Sequence, residues 1–224
     1  MKTEENRAIF DMDGTLYRLD KGKEQKFTSS RFYNDLRNRV YGFFMARQGI
    51  DREEAITEYE RIKNKYKGEV SLGVEAEYGI DRYEFFAETW GTLDPAGYIE
   101  ADEALPEILN ALKGRIALLT AAPRIWAIKV LAHLNLNEAF GDAIYTGEPN
   151  LRKPNPQVFR LIADEFGINT SQAVSIGDQE ESDIIPAKLI GMRTVRVGFG
   201  ETKADYQAED VIAAIELLKK EGFL

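Results

Sequence analysis

Short apolar runs alternate with helix-period patterns through the second half of the chain, and one such run stands near the N-terminus. Ala8-Ile9-Phe10 is the first; residues 116–119, 143–145, 173–176 and 194–197 follow. Each is short, apolar and β-rich, which predicts a strand. Between the later runs, apolar residues recur at helical spacing over 125–134, 157–166, 184–190 and 211–218. Gly114, Gly167 and Gly191 stand where a C′ glycine would close a helix. Strands alternating with helices predict βαβ units, hence a mostly parallel, doubly wound α/β sheet of five strands.

From about Leu19 to Gly97 the pattern is different. Phe32, Leu36, Val40, Phe43 and Phe44 fall on one face of a helix starting near Ser29 or Ser30. Ala55, Ile56, Tyr59, Ile62 and Tyr66 form a second apolar face. Asp51 with Glu54, and Asp81 with Glu84, have the spacing of capping boxes with Asp as N-cap, and both sit in similar stretches, GIDREE and GIDRYE. An all-helical segment, residues 19–97, is therefore inserted into an α/β core made of 1–18 and 98–224.

Composition narrows the chemistry. Of 224 residues, 44% are hydrophobic, enough for a packed core, and 30% are charged. The formal net charge of −9 argues against a nucleic-acid polymer as partner, since phosphate-backbone binders run basic. The absence of cysteine excludes disulfides, thiol nucleophiles, iron–sulfur clusters and thiolate zinc sites. The N-terminal stretch MKTEENRAIF carries no apolar h-region, and no apolar run approaches the roughly 20 residues that span a bilayer. The expectation is a cytoplasmic protein without a membrane partner; no oligomeric state follows from the sequence.

Four short segments carry candidate chemistry. In Ile9-Phe10-Asp11-Met12-Asp13-Gly14-Thr15-Leu16, a strand delivers two carboxylates two residues apart, on the same side of the chain. In a parallel sheet, ligands bind beyond the C-terminal strand ends. Two carboxylates there, in a chain with no cysteine and one histidine, point to a hard, oxygen-ligated cation, Mg²⁺ first. The competing readings are a solvated aspartate turn and a calcium loop; the latter wants Glu eleven residues after Asp11, where Gly22 stands. Leu118-Leu119-Thr120-Ala121-Ala122 runs a strand into a small-residue loop whose hydroxyl and N–H groups suit a phosphate oxygen, though a Thr that merely ends a strand reads the same way. Lys153, in Arg152-Lys153-Pro154-Asn155-Pro156, offers a cation for phosphate or a solvated loop lysine. Ser175-Ile176-Gly177-Asp178 ends another strand in an acid, and Asp183 follows five residues later at a helix start, where acids also complement a helix dipole.

In this order, Asp-x-Asp-Gly-Thr-Leu, a strand-terminal Thr, Lys-Pro and Gly-Asp-x₄-Asp resemble the haloacid dehalogenase-like hydrolase superfamily over essentially the whole chain. The resemblance implies that 19–97 is a C1-type cap. It implies Asp11 as a nucleophile forming an aspartyl-phosphate, Asp13 as the acid and then the base, and Mg²⁺ held by Asp11, the Asp13 carbonyl and Asp178. Asp183 would orient the metal's surroundings. Thr120, the Ala121 amide and Lys153 would hold the phosphoryl oxygens. Dehalogenases of this fold lack an acid at the position of Asp13, so Asp13 argues for phosphoryl transfer. Ala121 departs from the Asn often found after the motif Thr.

The expected function is Mg²⁺-dependent hydrolysis of a small phosphorylated metabolite. A softer resemblance, through Asp-Gly-Thr-Leu-Tyr at 13–17 and Tyr83-Glu84-Phe85-Phe86, points to the pyrimidine 5′-nucleotidase branch and a nucleoside 5′-monophosphate. The 13 aromatics of the insert would then stack a base or, as helical spacing favours, fill its own core. A sugar-phosphate mutase and a non-catalytic phosphate-binding module are the alternatives. His133, the one histidine, is read as a packing or surface residue. A dinucleotide oxidoreductase is set aside because no Gly-x-Gly-x-x-Gly follows the first strand.

Overall fold

The first apolar run forms β1 (Arg7–Phe10), and a computed structural model describing residues 6–19 and 27–224 places it inside a six-stranded sheet. Gly22 and most of the polar N-terminal stretch lie outside the described residues. The other strands are β2 (Ile116–Leu119), β3 (Ile144–Tyr145), β4 (Ala173–Gly177), β5 (Arg193–Val197) and β6 (Tyr206–Ala208). Their order is β3-β2-β1-β4-β5-β6 and every neighbouring pair is parallel. The sixth strand, beyond the five that the apolar runs predict, is a three-residue edge strand with a polar centre, so it leaves no apolar signature. β2 and β4 are buried at every position, as both-face packing of a parallel sheet requires.

Two compact units divide the chain: Met1–Arg18 with Glu100–Leu224, and Leu19–Ile99. The second unit holds α1 (Arg31–Gln48), α2 (Arg52–Lys65), α3 (Val70–Tyr78) and α4 (Arg82–Glu88). Ser30 caps α1 by accepting from the Tyr33 amide. Asp51 and Glu54 make the full reciprocal capping box on α2, whereas Asp81 accepts from the Tyr83 and Glu84 amides with no return bond. The unit's aromatics mostly fill its own core: Tyr41, Phe43, Phe44, Tyr59 and Phe85 are buried in one cluster, with edge-on ring pairs such as Phe43–Phe85 at 5.1 Å. Among the described aromatics here, Tyr83 is 64% exposed and Phe27 37%. Ile56, expected on the buried face of α2, is exposed.

In the α/β unit the helices are α5 (Leu105–Asn110), α6 (Arg124–His133), α7 (Asn137–Phe140), α8 (Pro156–Glu165), α9 (Ile185–Leu189) and α10 (Val211–Lys220). On one sheet face Ile9, Ala117 and Leu119 pack with Val158, Phe159 and Ile162 of α8. Gly114, Gly167 and Gly191 all have positive φ, as helix-closing glycines do. His133 is half-buried in the last turn of α6. No helix among the described residues is long and apolar enough to cross a membrane.

Parallel pairing aligns the strand ends. Phe10 registers with Leu118 and with Ile176, so the residues just after β1, β2 and β4 emerge together on one edge. The strand order also turns around at β1, which has β2 on one side and β4 on the other. Such a switch point opens a crevice at the C-terminal edge.

Candidate active site

Asp11 is the first residue beyond β1, pinned by its amide to the Ile176 carbonyl at 2.9 Å. Its Oδ2 accepts from the Thr15 hydroxyl at 3.0 Å and its Oδ1 from Lys153 Nζ at 2.7 Å. Lys153 Nζ also lies 2.5 Å from Asp183 Oδ1, and the lysine side chain is only 3% exposed. The alternative of a solvated loop lysine is thereby overturned: Lys153 is a buried cation between two buried carboxylates. Asp183, fully buried, spends its other oxygen on the Gln179 amide at 2.9 Å. It sits in a π-helical turn, Glu180–Ile184, that brings the residue back under the end of β4.

Two glycines make this crowding possible. A Cβ on Gly177 would stand 2.4 Å from Cβ, Cγ and Oδ2 of Asp183. A Cβ on Gly14, whose φ is +88°, would stand 2.4 Å from Asp178 Oδ2. Gly177→Ala is expected to displace Asp183 and, through it, Lys153. The overpacking should destabilise by about 1–3 kcal/mol, and misplacement at the site should lower kcat by about tenfold to a hundredfold. Thermal melts and steady-state rates check this; wild-type values of both would refute the close approach.

Asp13 is half-buried and its Oδ1 accepts from the phenol of Tyr17. Burial, opposed by hydrogen bonding from Tyr17, raises its carboxyl above the ordinary value, the direction a proton donor needs. Asp11 is raised too, first by burial and then by the Asp183 charge, against the lowering effect of Lys153. For Lys153, burial disfavours the charge, but Asp11 and Asp183 outweigh it and hold the amine protonated. Asp178 is pushed up to about 6, mainly by burial and then by Asp183.

Asp178 Oδ1 is buried and has no hydrogen-bond partner. It belongs to a triad with Asp11 and Asp183 whose ligand oxygens all lie within 4.8 Å of one another. A buried orphan oxygen among anionic oxygen donors is what a hard divalent cation fits. The carboxyl of Asp13 stands outside this triad.

Thr120 follows β2, is fully buried, and accepts from the Ala122 amide at 3.0 Å, which closes the loop. Ala121 is exposed at its tip. A second loop braces this one: Gly147 donates to the Ala122 carbonyl at 2.9 Å, and a Cβ there would meet the Ala121 carbonyl oxygen at 2.0 Å. The buried Glu148 carboxylate accepts from the Arg124 amide and so caps α6, which otherwise has no side-chain cap. Thr15, Tyr17, Gly147 and Glu148 are absent from the sequence-derived site. Only Thr15 and Tyr17 carried a local cue, Thr15 in the first motif and Tyr17 directly after it in Asp-Gly-Thr-Leu-Tyr.

A family model for haloacid dehalogenase-like hydrolases matches residues 6–191. A glyceraldehyde 3-phosphate phosphatase of Methanocaldococcus jannaschii is 26% identical, over 94% of this chain and 96% of that protein. A phosphoglycolate phosphatase of Psychrobacter arcticus is also 26% identical, over 86% of this chain and 83% of its own. The crystal structure of a phosphatase of this superfamily from Thermococcus onnurineus superposes with a TM-score of 0.63 at 22% identity, covering 97% and 98% of the two chains. A 2-haloacid dehalogenase from Pseudomonas syringae gives the same TM-score at 17% identity, covering 97% and 99%, so the fold alone does not choose between the two chemistries. With its motifs gathered at one sheet edge and the family match spanning most of its length, the chain belongs to the haloacid dehalogenase-like hydrolases.

Proposed function

We propose that this hydrolase is a Mg²⁺-dependent phosphatase that cleaves a small phosphomonoester through an aspartyl-phosphate on Asp11. The observation that carries the reading is the buried Asp11 carboxylate held between Lys153 and Thr15, with Asp13 two residues on. A carboxylate fixed at both oxygens is oriented for in-line attack, and no thiol is present to compete as nucleophile. Lys153 then passes from neutralising Asp11 to neutralising the transferred phosphoryl group. Thr120 and the Ala121 amide, which follow the neighbouring strand β2, bind phosphoryl oxygens in this reading. Asp13 protonates the leaving oxygen and afterwards takes a proton from the hydrolytic water. Asp11, Asp178 and the Asp13 carbonyl would hold Mg²⁺, which when bound offsets repulsion between these carboxylates and the phosphate.

The substrate class rests on the relatives, which act on small phosphorylated metabolites. A nucleobase would need free aromatic faces, and most rings of the helical unit are packed against one another. The deciding experiment is a Mg²⁺-supplemented panel of glyceraldehyde 3-phosphate, phosphoglycolate, sugar phosphates, UMP and CMP. Phosphate release from at least one, with loss of it in excess EDTA, is expected. No release from any member would overturn the phosphatase reading, and full turnover in EDTA would overturn the metal.

The metal also sets a pH dependence. At pH below about 3.8 Asp178 is protonated folded or unfolded and no stability is lost. As pH rises towards about 6 the unfolded chain ionises first, so the metal-free protein loses stability, on the order of 2–3 kcal/mol from this group. Asp11 and Asp13, also raised, act in the same direction, while Lys153 stays charged throughout. Mg²⁺ should therefore raise the melting temperature more at pH 7 than at pH 5. Equal gains at both would contradict the assignment.

A further inference from the structure

Tyr17 is 5% exposed, and its phenol meets a polar group where an aromatic ring in a core would need none. The chain from Met12 folds back on itself. Thr15 and Leu16 donate to the Met12 carbonyl, Gly14 donates to the Tyr17 carbonyl at 3.0 Å, and Asp13 and Tyr17 form a short bridge. This loop sets the phenol beside Asp13 Oδ1. Trp126, fully buried in the first turn of α6, interacts with both groups. Phenylalanine would fill the same space, so packing does not account for the hydroxyl.

We propose that Tyr17 is a positioning residue: by donating to Asp13 Oδ1 it fixes the rotamer of that carboxyl and leaves Oδ2 as the oxygen that carries the transferable proton. A carboxyl free to rotate presents its proton to the leaving oxygen only part of the time, and the rate of acid-assisted cleavage falls in proportion. With Oδ1 occupied, the proton resides on Oδ2, passes to the ester oxygen as the P–O bond breaks, and Oδ2 is then the free base for water. The inference rests on the reading of Asp13 as the proton-handling group.

The test is Tyr17→Phe, assayed by kcat/KM in Mg²⁺ on two substrates. Benzyl phosphate releases an alkoxide that needs protonation; p-nitrophenyl phosphate releases a stabilised nitrophenolate that does not. Because kcat/KM reports steps up to departure of the alcohol, later hydrolysis of the phosphoenzyme does not enter. Loss of Tyr17 is expected to lower kcat/KM about tenfold or more on benzyl phosphate and less than about threefold on p-nitrophenyl phosphate, a fraction of what full acid catalysis contributes. The inhibition constant for inorganic phosphate, measured alongside, should stay within about twofold and so report an intact phosphoryl pocket. Equal losses on both substrates, or none on either, would overturn the role of Tyr17. Asp13→Asn serves as the reference and should show the same selectivity with larger amplitude. If Asp13→Asn lacks that selectivity, the reading of Asp13 itself fails.

Discussion

Asp11→Asn is expected to reduce phosphate release by on the order of 10⁴-fold or more, the scale of removing a covalent nucleophile. The amide is nearly isosteric and can still accept from the Thr15 hydroxyl, so the loop after β1 should keep its shape. Stability should move little, or upwards. The wild-type carboxylate is ionised at a cost, because burial and the Asp183 and Asp178 charges all oppose its negative form. The amide removes that cost but leaves Lys153 with Asp183 as its remaining anionic partner in the pair. A turnover assay and a thermal melt in EDTA together check the point. Retained turnover would exclude Asp11 as nucleophile; a collapsed melting temperature would mean that the loss reflects unfolding instead.

The second large effect concerns Lys153. Lys153→Met keeps an unbranched stem as far as Cε and deletes the ammonium that separates two buried carboxylates. Removing one partner from a buried ion cluster typically costs about 3–5 kcal/mol, and turnover should fall by at least about a hundredfold as phosphoryl charge goes unneutralised. The pH dependence has a definite sign. A lysine whose value is raised on folding contributes fully below its ordinary range near 10.5 and loses that contribution only in strong alkali. At neutral pH the deficit of the variant is thus at its largest. It should narrow on acidification, as Asp11, itself raised, takes up a proton and the repulsion disappears. Denaturant melts of both proteins at pH 7 and pH 5 measure the difference; a deficit independent of pH would mean that packing, not charge, is what Lys153 contributes.

The sequence speaks most clearly where one local rule dominates. Ser30, Asp51 and the glycines at 114, 167 and 191 announce helix ends through side-chain or φ requirements that need no tertiary partner. The apolar strands β1, β2 and β4 are legible because both faces are buried. α3 escapes because Gly73 in its middle reads as a breaker, whereas its Cβ would strike Ile62 Cγ2 at 2.4 Å, so the glycine serves helix packing. α5 and α7 span less than two turns and show no period. Within the site, the motif residues are recognisable by chemistry and order, and Asp11, Lys153 and Asp183 meet although 142 residues separate the first two. Glu148 was invisible for the opposite reason. A lone acid in a loop is usually solvated, and only the folded chain shows it buried against the first amide of α6.

The place of β1 in the sheet has a consequence for biosynthesis. The strand that ends in the nucleophile pairs with β2 and β4, whose first residues are Ile116 and Ala173. Made before both of them, it has neither partner until roughly a hundred further residues are added, which at about 5–20 residues per second is on the order of 5–20 s. Leu19–Ile99, a compact unit with its own core, is completed within that interval. The nascent chain therefore carries an apolar segment without its strand partners after the helical unit has been made, the stage at which a holding chaperone would have the most to protect.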